Sequence, residues 1–203
     1  MRNNTIAWFL SLFFIGAFNG FSQEVVAGAY GMGMKLAYDP SSHKLTGYFE
    51  DYTYGIEEPP RAPQFSCIFY LEGTLTGTSG TLHTSYPNDL EDVIVGRYEL
   101  VSPNTFQLQL DSEHGGCWNV QHFVEAPVSF TLEHASKWIQ IRYIVSDKAY
   151  FYSAPSKRKK KASYLVKNDF LCVEKITKEW AYGTFYGEKE SKGWIRIGEL
   201  NEL

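Results

Sequence analysis

From Val25 to His134 the sequence never sustains the apolar period of 3.6 that an amphipathic helix requires; short apolar and aromatic runs alternate instead with turn clusters. The same rhythm continues from Ile139 onward, so the chain is expected to be all-β, with helix limited to a turn or two. Composition agrees. Among 203 residues there are 14 Tyr, 14 Phe, 5 Trp and 17 Gly against 3 Met, which favours strands and tight turns over a helical bundle. A hydrophobic share of 44% with 21% charged residues is a globular balance, and it excludes disordered, collagen-like, coiled-coil and polytopic membrane classes.

The net charge of −4 conceals a division. Gln23 to Ala135 holds 4 basic against 15 acidic residues, a net of −11, whereas Ser136 to Leu203 holds 14 basic against 8 acidic, a net of +6. One domain would intersperse the signs, so a boundary is expected near residue 135. Two readings follow: adjacent modules of complementary charge, docked on each other, or a basic half with an anionic partner.

Residues 1–22 combine a basic start at Arg2, an apolar run from Ile6 to Phe18 and small residues at Gly20 and Ser22. This pattern reads as a secretory signal peptide cut before Gln23, with an uncleaved anchor as the alternative. The run is shorter than the roughly 20 apolar residues of a membrane span, so no transmembrane segment is expected after signal removal. Export devalues Lys157-Arg158-Lys159-Lys160-Lys161 as a nuclear signal.

Residues 23–135 read as an acidic antiparallel β sandwich or barrel-like domain. Met32–Tyr38 and Leu45–Tyr52 flank a turn-rich Asp39–Lys44 as a hairpin; further strands are expected at Phe65–Glu72, Thr81–Ser85, Val93–Val101, Thr105–Leu110 and Val128–Glu133. Glu57 to Pro63 is a loop, since its prolines lack ladder donors. Cys67 and Cys117 read as a disulfide in an exported chain. The competing role for Cys117, a nucleophile in Gly-Gly-Cys-Trp, lacks the distant histidine of that chemistry, because His122 and His134 follow too closely. His114, Cys117 and His122 do not supply a four-ligand metal set, and Glu50, Asp51, Glu57 and Glu58 read as a solvated acidic loop. No catalytic residue, metal or cofactor is assigned.

Residues 136–203 read as a second, small β-domain. Strands are expected at Lys148–Tyr152, Ala162–Val166, Phe170–Lys175, Trp180–Tyr186 and Gly193–Ile197, with a basic loop over 153–161 and a turn at Lys167–Asp169. Ala-Tyr-Phe-Tyr-Ser-Ala-Pro at 149–155, Tyr-Leu-Val-Lys-Asn-Asp at 164–169, Glu179-Trp180 and Gly-Trp-Ile-Arg-Ile at 193–197 follow one another in an order that resembles the bacterial SH3 (SH3b) family over about residues 139–201. The resemblance implies a small SH3-like β-barrel used for binding and appended to exported proteins. It places Tyr150 and Tyr152 in the opening aromatic motif and Trp180 at the start of the ligand-facing strand. The proline and tyrosine of the eukaryotic peptide-binding signature are absent from Arg196–Leu200, which argues against proline-rich ligands.

Candidate ligand contacts are therefore Tyr150, Tyr152, Lys157, Arg158, Lys159, Lys160, Lys161, Trp180 and Tyr182. Trp194 is expected in the interior, Trp180 fits either role, and Cys172 is expected as a buried, inert thiol. The reading is an exported, periplasmic or secreted, non-enzymatic binding or adaptor protein of the bacterial envelope. Its expected partner is peptidoglycan, another anionic envelope polymer or an envelope protein, and not nucleic acid. The alternatives are a cell-wall hydrolase targeted by its second domain and a periplasmic inhibitor or immunity protein. The adaptor reading expects residues 136–203 alone to retain binding.

Overall fold

A computed structural model describes residues 25–56, 62–87, 89 and 91–203. The expected signal peptide, and Glu57 to Arg61 of the expected loop, lie outside the described residues. Eight strands form a closed antiparallel barrel in sequence order: β1 (Gly28–Tyr30), β2 (Lys35–Asp39), β3 (Lys44–Tyr54), β4 (Pro63–Thr74), β5 (Ser79–Ser85), β6 (Ile94–Ser102), β7 (Thr105–Leu110) and β8 (Val128–Ala135). Closure comes from β8 pairing back onto β1, with Ala29 opposite His134, so the barrel presents no free edge. The sequence pattern located these strands because it follows the pleat. On β6, Ile94, Gly96, Tyr98 and Leu100 turn inward while Val95, Arg97, Glu99 and Val101 face solvent. Pro63 stands first in β4, where a missing donor is tolerated.

An eight-stranded barrel has an interior that side chains just fill, or that holds one small ligand. Here rings fill it. Phe49 lies 5.0 Å from Phe69 and 5.1 Å from Phe123, with Phe130 at 5.8 Å from Phe49. Phe123 belongs to no strand; it enters from the connection between β7 and β8, which folds back over the barrel end. Three features hold that connection. Cys117 is bonded to Cys67 on β4, the Glu113 carboxylate accepts from the N–H groups of Phe123 and Val124, and Gly116 packs so closely that a Cβ would stand 2.0 Å from the Ser66 carbonyl oxygen. Gly116 also has φ of +84°, so both space and backbone demand glycine.

The rest of the chain forms a six-stranded antiparallel sheet: β9 (Gln140–Tyr143), β10 (Lys148–Tyr152), β11 (Lys160–Val166), β12 (Phe170–Ile176), β13 (Trp180–Phe185) and β14 (Ser191–Arg196), in the order β11-β10-β14-β13-β12-β9. Five match the expected strands and β9 is additional. The turn expected at Lys167–Asp169 is present, with Asn168 at φ +75° and the Asp169 carboxylate accepting from the Val166 N–H. Leu171, Val173, Ala181, Ile195, Ala149 and Phe151 build one core on the inner face of this sheet.

Its other face begins against the barrel. Ile141, Phe170 and Cys172 pack with Trp138 onto Ala37 and Tyr48. Tyr48 stacks on Phe170 with ring centroids 4.4 Å apart, and Tyr70 meets Tyr143 edge-on at 5.2 Å. The fully buried Thr46 hydroxyl of β3 accepts from the Ile141 N–H at 2.7 Å, so even the backbone of β9 is satisfied by the barrel. Cys172 is completely buried in this seam, and burial pushes its thiol well above the ordinary range, which leaves it protonated and unreactive.

Candidate functional site

Beyond the seam, the same face of the second sheet runs outward as a tract of rings and cations. Strand alternation sets it. Ala149 and Phe151 point into the core, so Lys148, Tyr150 and Tyr152 share the opposite face of β10. Register carries the face across the sheet: Tyr150 pairs with Tyr164 and Tyr152 with Lys160 on β11, Tyr152 with Trp194 on β14, and Trp194 with Tyr182 on β13. The rings form contacts of their own. Tyr150 and Tyr164 are 5.5 Å apart, Tyr182 and Trp194 are 5.2 Å apart, and Trp180 meets Tyr152 edge-on at 4.8 Å.

Lysines lie over these rings. The Lys160 ammonium is 3.3 Å from the Tyr150 centroid, Lys148 is 4.7 Å from Tyr164, and Lys192 is 5.4 Å from Tyr182. Cation–π pairs of this kind hold a flexible charged arm against a flat surface instead of leaving it free in water. Lys192 is fixed further by the Glu174 carboxylate at 2.7 Å, and the Lys161 ammonium donates to the Lys192 carbonyl at 2.7 Å. Beside Trp180, the side chains of Lys157, Lys178 and Arg196 line an open depression of about 320 Å³, with Glu179 as its acidic member.

The structure thus gathers Tyr150, Tyr152, Lys160, Trp180 and Tyr182 on one face. Their roles differ: Tyr152 and Trp180 are 8% and 6% exposed and support the tract from beneath, whereas Tyr164 is 45% exposed and can touch a ligand directly. Lys157, Arg158 and Lys159 form a 3-10 turn at the end of the tract, with Lys157 in the depression. Lys160 and Lys161 were expected in that loop and belong to β11. An edge strand tolerates the cations because their ammonium groups remain in solvent. Trp194, expected inside, is half-buried on the ring tract, since its neighbour Ile195 occupies the interior position on β14.

Lys148, Tyr164, Lys192 and Trp194 escaped the sequence reading of this site. Their signal was available as period-two alternation along each strand, but assigning a face needed the register between strands. The remaining sequence candidates have structural roles. Cys117 is consumed by its disulfide, and His114, 4% exposed, lies in the barrel 2.7 Å from the Thr84 hydroxyl. Among the described residues, no group of three or more His, Cys, Asp or Glu side chains is arranged to hold a metal ion, and no helix is long and apolar enough to cross a membrane.

Compared with known proteins, the chain matches no family model, no curated protein and no solved structure, so its functional reading rests on its own geometry.

Proposed function

We propose that this protein is an exported binding module of the bacterial envelope, and that the outer face of its second sheet holds an anionic wall glycan, with peptidoglycan as the first candidate. The observation that carries this reading is the two ring pairs Tyr164–Tyr150 and Trp194–Tyr182, joined through Tyr152 opposite Trp194, with Lys148, Lys160 and Lys192 lying against the tyrosines. A pyranose ring offers a flat C–H face that stacks on aromatic rings, and a carboxylate on the sugar or its peptide meets the ammonium groups. Sequence resemblance to the SH3b family supports the same role, and the Cys67–Cys117 bond suits an oxidising compartment. Recognition here is surface complementarity and requires no bond chemistry. The barrel, with its interior filled by phenylalanine, serves as the body on which this sheet is mounted.

The test is retention of the chain from Gln23 to Leu203 on purified peptidoglycan at low and high salt. Retention is expected at low salt and should fall as salt screens the lysines. Trp194→Ala and the double substitution Lys148→Gln with Lys160→Gln should each weaken it about tenfold or more, at the scale of losing a stacked ring or two charge contacts. Retention that ignores all three substitutions overturns the assignment to this face. Capture of a discrete envelope protein in place of the polymer would make the module a protein adaptor instead.

A further inference from the structure

A second concavity lies elsewhere, at the seam between barrel and second sheet. It encloses about 550 Å³ and is walled by Tyr70 and Glu72 of β4, His83 and Ser85 of β5, Tyr143 of β9, and Glu202 beyond the last strand. Junctions between two folded units are where small ligands most often bind, and this volume suits one. Its chemistry is one-sided. The lining carries two carboxylates and two tyrosine rings without a lysine or arginine, and neither carboxylate forms a salt bridge among the described residues.

A second observation points to a missing partner. Tyr70 is 3% exposed, yet its hydroxyl makes no hydrogen bond. Asn201 in the wall acts on the phenol without a hydrogen bond of ordinary geometry: its Oδ1 accepts from the Tyr143 N–H at 2.9 Å and one Nδ2 hydrogen goes to the Glu202 carbonyl at 3.2 Å. A buried hydroxyl left unpaired costs roughly 1–3 kcal/mol, so such groups normally meet a ligand or water. Burial holds the phenol protonated, which makes it a donor.

We propose that this cleft binds a small molecule carrying a protonated amine next to an oxygen acceptor. The amine sits between Glu72 and Glu202 against the Tyr70 and Tyr143 rings, which attract a cation through their faces. The neighbouring oxygen accepts from the Tyr70 hydroxyl. Arg142, 7% exposed and interacting electrostatically with Tyr70 and Glu202, offsets part of the Glu202 charge. Glu72 is therefore the carboxylate that discriminates amines from neutral compounds. This site is separate from the ring-and-lysine tract and selects the opposite charge.

The experiment is an amide NMR titration of the full chain with 2-(2-aminoethoxy)ethanol and, as its neutral counterpart, diethylene glycol. The amine should shift the Glu72, Tyr143 and Asn201 amides saturably at about millimolar concentration, and the glycol should not. Glu72→Gln should weaken amine binding about tenfold or more, and Tyr70→Phe severalfold, while amides outside the cleft keep their positions. Equal shifts by both compounds, no saturable shift up to about 100 mM, or wild-type affinity in Glu72→Gln would each overturn the proposal.

Discussion

The two parts of the molecule put the same kind of residue to opposite uses. In the barrel the phenylalanine rings are chiefly interior: Phe49, Phe69, Phe106, Phe123 and Phe130 are all fully buried, while Tyr54, Phe65 and Tyr86 stand exposed singly on its strands and loops. In the second sheet they also line an outer face, where Tyr150, Tyr164 and Tyr182 lie under lysines and Trp194 packs against Tyr182. Closure explains the difference. A closed sheet has one enclosed side that must be filled, whereas the open six-stranded sheet has two faces, one given to its own core and the other divided between the barrel and solvent. Charge follows this division, with the acidic half of the sequence forming the barrel and the basic half carrying the exposed rings.

The largest expected effect tests whether the barrel is held from within or by its covalent tie. Cys67 and Cys117 are 50 residues apart in sequence, and closing a loop of that size is worth about 4 kcal/mol in the chain-entropy account. Paired Cys67→Ala and Cys117→Ala should lower the unfolding free energy by that amount in a denaturant titration. If they lower it by less than about 1 kcal/mol, the Phe123 plug and the Glu113 hydrogen bonds hold the barrel end without the bond.

The next effect asks whether the two parts are separable at all. Complementary charge raised the reading of docked modules, and the seam is apolar as well as polar: Phe170 stacks on Tyr48, and the Ile141 N–H donates to Thr46. Thr46→Val keeps the shape and strands that N–H, at a cost of about 1–3 kcal/mol. The loss should appear in the unfolding of both parts together, followed by tryptophan fluorescence, since Trp138, Trp180 and Trp194 all lie outside the barrel strands. A change confined to one of two separate transitions would break the seam into independent domains. Residues 136–203 alone would expose Ile141, Phe170 and Cys172, and for that reason binding tests belong on the full chain.

Much of this was legible in the sequence, and what was missed shares one cause. The strand Thr105–Leu110 was expected at its observed bounds, and the Cys67–Cys117 bond followed from compartment and number. Both depend on local pattern or simple pairing. By contrast β9 carries no such local mark: Gln-Ile-Arg-Tyr places an arginine where a strand core is expected, and pairing with β12 and docking on the barrel make it a strand. The inward position expected for Trp194 fails for a related reason. Neighbouring residues on a strand look alike in sequence, and the one-residue phase that sends Ile195 inward is fixed by β13 across the ladder.

A smaller effect sharpens the contrast on the exposed side. Lys160→Gln removes the ammonium over Tyr150 without touching either core, so stability should change by about 0.5–1 kcal/mol at most. Retention on peptidoglycan should fall more than stability does, and its salt dependence should flatten. A loss of stability without a loss of retention would make the cation–π pair a structural device and remove it from the ligand surface.

The smallest effect is the pH dependence of the barrel, which depends on one interior histidine. Burial lowers the affinity of His114 for a proton, a tendency that Asp92 and Glu113 oppose. Its ring stacks on Phe69, and with the Thr84 hydroxyl donating to the Ile94 carbonyl, His114 meets Thr84 through Nε2. The unfolded chain takes up a proton at about the ordinary value of 6.5, before the folded barrel does. The stability contribution is therefore complete above that pH and is lost as pH falls toward the depressed folded value. His114→Gln should flatten this part of the profile, seen as a smaller drop in unfolding midpoint between neutral and mildly acidic buffer. An unchanged slope would assign the acid sensitivity to the carboxylates of the acidic half, leaving the barrel interior indifferent to pH.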